Sequence, residues 1–248
     1  MLLTRLSMRI RQWLAPPWER YVRGTAVGWV RFGSLRRLHP LGAVFGLKRG
    51  QRLELCMDRY YIERFLAQHA ADIQGHVLEI ADNTYTQRFG GVRVLRSDVL
   101  HAAPDNPDAT IIADLTCADH VEPQSFDCII LTQTLQYIYD LRAAMRTLSR
   151  LLKPGGVVLA TCPGISQISR YDREHWGEYW RFTTLSAHKL FTEMFPADRV
   201  TVQGYGNVLV AIAFLHGLLV TELRQEELDY HDPDYEVLIT VRAVKPAT

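Results

Sequence analysis

Seven residues able to hold or activate a polar ligand fall within eleven positions: Tyr171, Asp172, His175, Trp176, Tyr179, Trp180 and Arg181, in the segment ISQISRYDREHWGEYWRFT. Aromatic faces beside carboxylates are what a sugar or another ring-bearing polar substrate needs. Tyr171, Trp176, Trp180 and Arg181 are therefore the candidate substrate contacts. His175 is the favoured general base, because an unperturbed imidazole titrates nearest neutrality, and Asp172 either orients it or acts in its place. Two plainer readings stand beside these: His175 as a surface histidine, and Trp176 and Trp180, four apart, as a helical hydrophobic anchor. His188, within LSAHKLF, reads as a helix surface residue.

The elements that must position this segment follow from the hydrophobic pattern. From about Asp58 the chain alternates between helical and extended periods. DRYYIERFLAQHA puts Tyr61, Phe65, Leu66 and His69 on one helical face, and Gly75 stops it before the strand HVLEIA. A polar turn, DNTYTQRFGG, leads to VRVLRS, which ends in Asp98; ATIIA ends in Asp114. FDCIILT follows, and its core from Cys128 to Leu131 lacks alternation, as suits a strand covered on both faces. Asp140 can cap the helix LRAAMRTLSRLL, whose stripe is Leu141, Ala144, Met145, Leu148, Leu151 and Leu152. Pro154, Gly155 and Gly156 stop it before VVLAT, and residues 198–206 and 235–244 read as strands flanking a helix at 208–224. The expected fold is α/β: a doubly wound, mostly parallel, seven-stranded Rossmann-like sheet, with its ligand crevice at the carboxyl ends of the strands.

The chain has 248 residues, 48% apolar and 22% charged, enough for a sizeable core without disulfide staples. Cys56, Cys117, Cys128 and Cys162 show no CxxC spacing, which argues against a zinc site and for a reducing cytoplasm. Val208 to Val220 falls short of the roughly 20 apolar residues of a spanning helix. Charge is uneven: residues 1–52 hold eleven Lys/Arg against Glu19 alone, and residues 53–248 hold seventeen against twenty-six acids. The expected organisation is thus a basic N-terminal arm, 1–52, on a domain spanning 53–248. Leu3, Leu6, Ile10 and Trp13, with Arg5, Arg9 and Arg11 between them, suggest an amphipathic basic helix without a secretory core. Such an arm can meet an anionic surface, a partner protein or its own domain.

Residues 58–195 resemble a class I S-adenosylmethionine-dependent methyltransferase of the kind often called methyltransferase type 11. The most specific piece is FDCIILTQTLQYIYDLRAAMRTLSRLLKPGGVVLATCPG. The resemblance implies S-adenosylmethionine as cofactor, bound by Glu79, Ala81, Asp82, Tyr85, Asp98, Asp114, Leu115, Thr132 and Gln133. Asp98, nineteen residues after Glu79, would take the ribose hydroxyls, and Asp114 the adenine amino group with Leu115 packed on the ring. The alternative for both aspartates is a turn or helix cap. The first motif departs from the family: Glu79 is followed by Ile80-Ala81-Asp82-Asn83-Thr84-Tyr85 without glycine. Asp82 and Asn83 tolerate left-handed backbone geometry, so the reading is a variant loop, with Asp82 facing the methionyl ammonium and Tyr85 as a wall.

Methyl transfer from a sulfonium is a direct displacement, so alignment comes first and a base is needed for a weakly acidic hydroxyl. The loop Thr132-Gln133-Thr134-Leu135-Gln136 lacks the Asn/Asp-Pro-Pro-Tyr/Phe sequence of amide and nucleobase N-methyltransferases, which weighs against DNA. The expected activity is O-methylation of a sugar, glycan or other small-molecule hydroxyl, without a metal, since no Asp-Asp-Asn type cluster is visible. The segment also resembles methyltransferases that accompany glycosyltransferases in bacterial cell-surface polysaccharide assembly. That association gives the arm a reason to exist, as a peripheral contact with the inner membrane surface or with a glycosyltransferase. Competing readings are a nitrogen acceptor, a short-chain dehydrogenase, for which the glycine-rich loop and Tyr-x-x-x-Lys pair are missing, and a catalytically degenerate binding or scaffold domain.

Overall fold

The computed structural model describes residues 37–41 and 56–247. The expected arm, residues 37–41 apart, lies outside them, as does its amphipathic helix. In chain order the main elements are α1 (Met57–Gln68), β1 (Gly75–Ile80), β2 (Val94–His101), β3 (Ile111–Ile112), β4 (Phe126–Thr132), α2 (Leu141–Leu151), β5 (Leu152–Pro163), α3 (Arg170–His175), α4 (Thr184–Thr192), β6 (Val200–Tyr205), α5 (Val208–Leu215), α6 (Gln225–Asp229) and β7 (Leu238–Val244). The strands form one sheet in the order β3-β2-β1-β4-β5-β7-β6, in which only β7 runs antiparallel to its neighbours. The doubly wound seven-stranded sheet expected from the alternation is present.

Both faces of the sheet are covered, which is why β4 carries a continuous apolar run. Leu78, Ile129, Leu131, Val158 and Ala160 pack toward α2 and α4, while Val77, Cys128, Ile130 and Leu159 pack toward α1 and α5. Asp140 caps α2 by accepting from Ala143 N at 3.0 Å, and Ala144, Met145, Leu148 and Leu151 form its buried stripe. The buried face of α1 is Met57, Tyr61, Ile62, Phe65 and Leu66; His69 follows its last turn and lies half-buried with its edge on Phe65. The helix expected over 208–224 is shorter. Asn207 caps α5 through Val210 N at 3.0 Å, and the helix ends at Leu215, just before Gly217 turns the chain at φ +68°.

One boundary changes the chemistry. The second strand was expected to end at Asp98, but β2 continues through Val99, Leu100 and His101, which pair with Glu79 and Ile80 of β1 and with Ile111 and Ile112 of β3. Asp98 therefore sits within the strand, opposite Leu78. No helix among the described residues is long and apolar enough to cross a membrane.

Candidate functional site

The strand order reverses between β1 and β4, and the carboxyl ends of those strands open the crevice where such sheets bind ligands. Backbone strain marks the same place. Among the described residues three non-glycines take positive φ, and two of them, Ala81 (+75°) and Gln133 (+47°), directly follow β1 and β4. Left-handed backbone at non-glycine positions is costly and persists where surrounding bonds enforce it. Here Ala81 N donates to Leu100 O (3.0 Å), Ala81 O accepts from Asn106 Nδ2 (2.6 Å), and Gln133 N donates to Thr161 O (3.0 Å).

Glu79 supplies the force that shapes the first loop. It is 2% exposed, and its two carboxylate oxygens accept from Tyr85 N (3.2 Å), Thr86 N (2.7 Å) and Thr86 Oγ1 (2.7 Å). Burial pushes its pKa up to about 7 against these hydrogen bonds. Glu79 thus holds the glycine-free loop, with both carboxylate oxygens committed to Tyr85 and Thr86. Tyr85 is likewise turned into the α1 layer, where its hydroxyl accepts from Arg59 at 2.9 Å. Asp82 remains exposed, one oxygen accepting from Thr84 N at 2.8 Å.

Asp98 is likewise committed to protein partners. It is 5% exposed and receives His76 Nε2 (2.6 Å), Thr110 Oγ1 (2.9 Å) and Arg96 (3.0 Å). Burial pushes its carboxyl up, but the His76 and Thr110 hydrogen bonds and the charge of Arg96 hold it below the usual carboxylate range. A carboxylate so occupied inside a strand clamps β1, β2 and the residue before β3 together. The residue at the end of β2 is His101, with Nδ1 2.9 Å from Ala103 O and 3.5 Å from Asp105. Asp114 lies in the turn after β3 and accepts from Thr116 N and Thr116 Oγ1, each at 2.8 Å, beside the buried Leu115.

The aromatic segment is drawn onto the crevice from two sides. Tyr137, in the turn after β4, donates its hydroxyl to Asp172 at 3.1 Å; Trp180 Nε1 donates to Ile138 O (3.0 Å), and Tyr179 N donates to Gln136 O (2.8 Å). Trp176 meets the edge of His101 at 5.2 Å. The two tryptophans do not share a helix: α3 ends at His175, and Gly177 turns the chain at φ +80°. Of the two readings of Asp172, the one in which it orients His175 has no hydrogen bond behind it among the described residues. His175 lies exposed against the Tyr171 ring (4.0 Å), with Nδ1 2.7 Å from Tyr171 O, because both project from one short helix four residues apart. Arg181 donates internally to Gln167 O, Trp180 O and Glu178, so its guanidinium ties the segment together.

Thr132, half-buried, closes β4 opposite Thr161 of β5. Four residues on is a group that sequence reasoning passed over. Gln136 is 3% exposed; its Nε2 donates to Gln133 O (2.9 Å), a pure acceptor, which fixes the amide orientation and leaves Oε1 buried without a donor among the described residues. Tyr137, Tyr139 and His101 were also missed, since only the folded chain brings them to the segment 171–181. An open groove of about 800 Å³ lies at the opposite, amino edge of the sheet, lined by Gly75, Asp127, Lys153 and Arg242 among others. Lys153 pairs there with Asp127 and Arg242 with Asp72, each at 2.7 Å. Among the described residues no group of three or more His, Cys, Asp or Glu is arranged to hold a metal.

Comparison with known proteins matches residues 56–199 to the methyltransferase domain family. No curated protein matches the chain. Similar solved structures include a SAM-dependent methyltransferase from Archaeoglobus fulgidus (8% identity, TM-score 0.51, covering 75% of this chain and 94% of that one). A candidate sarcosine dimethylglycine methyltransferase from Galdieria sulphuraria is 14% identical (TM-score 0.50, 76% and 86%). Phosphoethanolamine N-methyltransferase 2 from Haemonchus contortus, in complex with S-adenosylhomocysteine, is 16% identical (TM-score 0.46, 70% and 49%), so this chain spans about half its length. At these identities the likeness is one of fold.

Proposed function

We propose that this chain, which belongs to the methyltransferase domain family, transfers the methyl group of S-adenosylmethionine to a hydroxyl of a sugar, a glycan or another polar, ring-bearing molecule. The observation that carries the acceptor reading is the Tyr137–Asp172 bond, which sets a carboxylate among aromatic rings beside the turn after β4.

The residues fit the cofactor. Gln136 Oε1 is a buried acceptor lacking a donor, and an ammonium is a suitable one. Ala81, Asp82, Thr132, Gln133 and Gln136 would hold the methionyl end, His101 and Asp105 the ribose, and Asp114 with Leu115 the adenine. When bound, the cofactor supplies a methyl group activated by a sulfonium. The chain's own part is alignment and proton handling. Asp172 Oδ2 accepts from Tyr137, while Oδ1 has no partner among the described residues and takes the acceptor's hydroxyl proton. A positioned base of this kind contributes about 10²- to 10⁴-fold. His175, whose Nδ1 donates to Tyr171 O and leaves Nε2 as the basic nitrogen, is the second choice because no contact among the described residues ties its ring to the turn after β4.

A glycan acceptor agrees with the resemblance to polysaccharide-associated methyltransferases. On the same reading, residues 1–52, with eleven basic residues against one acid, contact an anionic leaflet or a membrane-bound glycosyltransferase. The test incubates the full chain with methyl-labelled cofactor and panels of methyl glycosides, phenols and primary amines, with products read by mass spectrometry. Label on hydroxyl-bearing acceptors, lost in Asp172→Asn, is expected; label on amines alone would overturn the acceptor class.

A further inference from the structure

We propose that Tyr139, Tyr179 and Trp180 form a sugar-stacking subsite, which holds a second pyranose unit beside the one that is methylated. This rests on the glycan reading above and adds that the substrate is an oligosaccharide or a larger glycan.

The three rings are exposed and lie against one another. Tyr139 is 71%, Tyr179 51% and Trp180 36% exposed. Tyr139 lies against Trp180 at 5.9 Å and 26°, and meets Tyr179 edge to face at 5.3 Å. Two of them are tied by bonds that stay inside the protein: Trp180 Nε1 to Ile138 O, and Tyr179 N to Gln136 O. Gly177 allows the bend, since a Cβ there would lie 2.5 Å from Tyr179 Oη. Adjoining exposed rings form a contiguous apolar patch, the kind of surface feature that marks an interaction site.

The chemistry of the patch selects the occupant. Its centre is aromatic, while the hydroxyls of Tyr139 and Tyr179 have no partner among the described residues. A pyranose has the matching form, with an apolar C–H face and a polar rim. A folded protein partner would need a broader apolar area than three rings supply. The platform is also continuous with the proposed transfer site, because the chain segments that join at Tyr137 and Asp172 join again at Ile138 and Trp180.

The test is saturation-transfer NMR and affinity measurement on the full chain, with gluco-, galacto-, manno- and rhamnopyranosides as methyl glycosides and as the corresponding blocked disaccharides. The expected result is that at least one disaccharide binds about three- to tenfold tighter than its monosaccharide, in line with a single aromatic contact. The advantage should fall to about one in Tyr139→Ala, an exposed change that leaves the fold intact, and persist largely in Tyr139→Phe. No saturation transfer to any probe, or a disaccharide advantage untouched by Tyr139→Ala, overturns the subsite. If the advantage is present but methyl transfer goes only to amines, the subsite stands and the hydroxyl-acceptor reading fails. If a monosaccharide is methylated without any disaccharide advantage, the reverse holds.

Discussion

Tyr137 donates its hydroxyl to Asp172 across 3.1 Å and thirty-five positions of sequence, joining the turn after β4 to the short helix that begins the aromatic segment. Burial, followed by the neighbouring Asp172 charge, pushes the Tyr137 hydroxyl far above its ordinary pKa, so it stays a neutral donor throughout the working pH range. The carboxylate is therefore held by a group that does not itself titrate.

Replacing Tyr137 by Phe removes that donor and keeps the ring. Stability should fall by about 1 kcal/mol, and methyl transfer should fall further than stability accounts for, because Asp172 loses its fixed position. A double-mutant cycle with Asp172→Asn checks this: turnover losses that do not add indicate one functional unit, and simple additivity would separate the two residues.

Asp98→Ala should act on folding and not on ligand affinity. It strips the acceptor from His76 and Thr110 in the interior of the sheet, at a cost of about 2–3 kcal/mol. Denaturant melts should shift accordingly, while S-adenosylhomocysteine titrated into the folded protein should bind with wild-type affinity. A large affinity loss without a stability loss would return Asp98 to the ribose.

Glu79 predicts a pH effect with a definite sign. Its folded pKa, pushed up to about 7 by burial, exceeds the ordinary glutamate value. The folded chain thus holds a proton that the unfolded chain releases, so this residue's contribution is fully present at low pH and is lost as pH rises through about 7. Its slope approaches about 1.4 kcal/mol per pH unit between the two pKa values. Asp98 and Asp127, held low by their partners, act only below the usual carboxylate range. Glu79→Gln should flatten the stability profile between pH 5 and 7, as read by chemical denaturation; an unchanged slope would remove Glu79 as its source.

The alternation of the chain made the sheet legible: every expected strand is present, Asp140 caps its helix, and the unalternating run at Cys128–Leu131 lies between two helical layers. What stayed hidden were long-range partners. Asp98 reads as a strand end because an internal carboxylate makes sense only once His76 and Thr110 are in place around it. Glu79 reads as a ligand for the same reason, until Thr86 returns to it. The density of aromatic residues at 171–181 was visible, but its docking on Tyr137, Ile138 and His101 depends on the bend at Gly177, which local periodicity does not encode.

The proposed activity requires a cofactor site in the crevice between β1 and β4, and calorimetric titration of the full chain with S-adenosylhomocysteine tests it directly. Saturable one-site binding is expected, weakened about tenfold or more by Asp114→Ala and by Gln136→Leu, each of which removes an acceptor from a charged or polar donor. Binding that leaves both variants at wild-type affinity would contradict the placement of the site, and no binding at millimolar ligand to a folded chain would contradict the proposed activity itself.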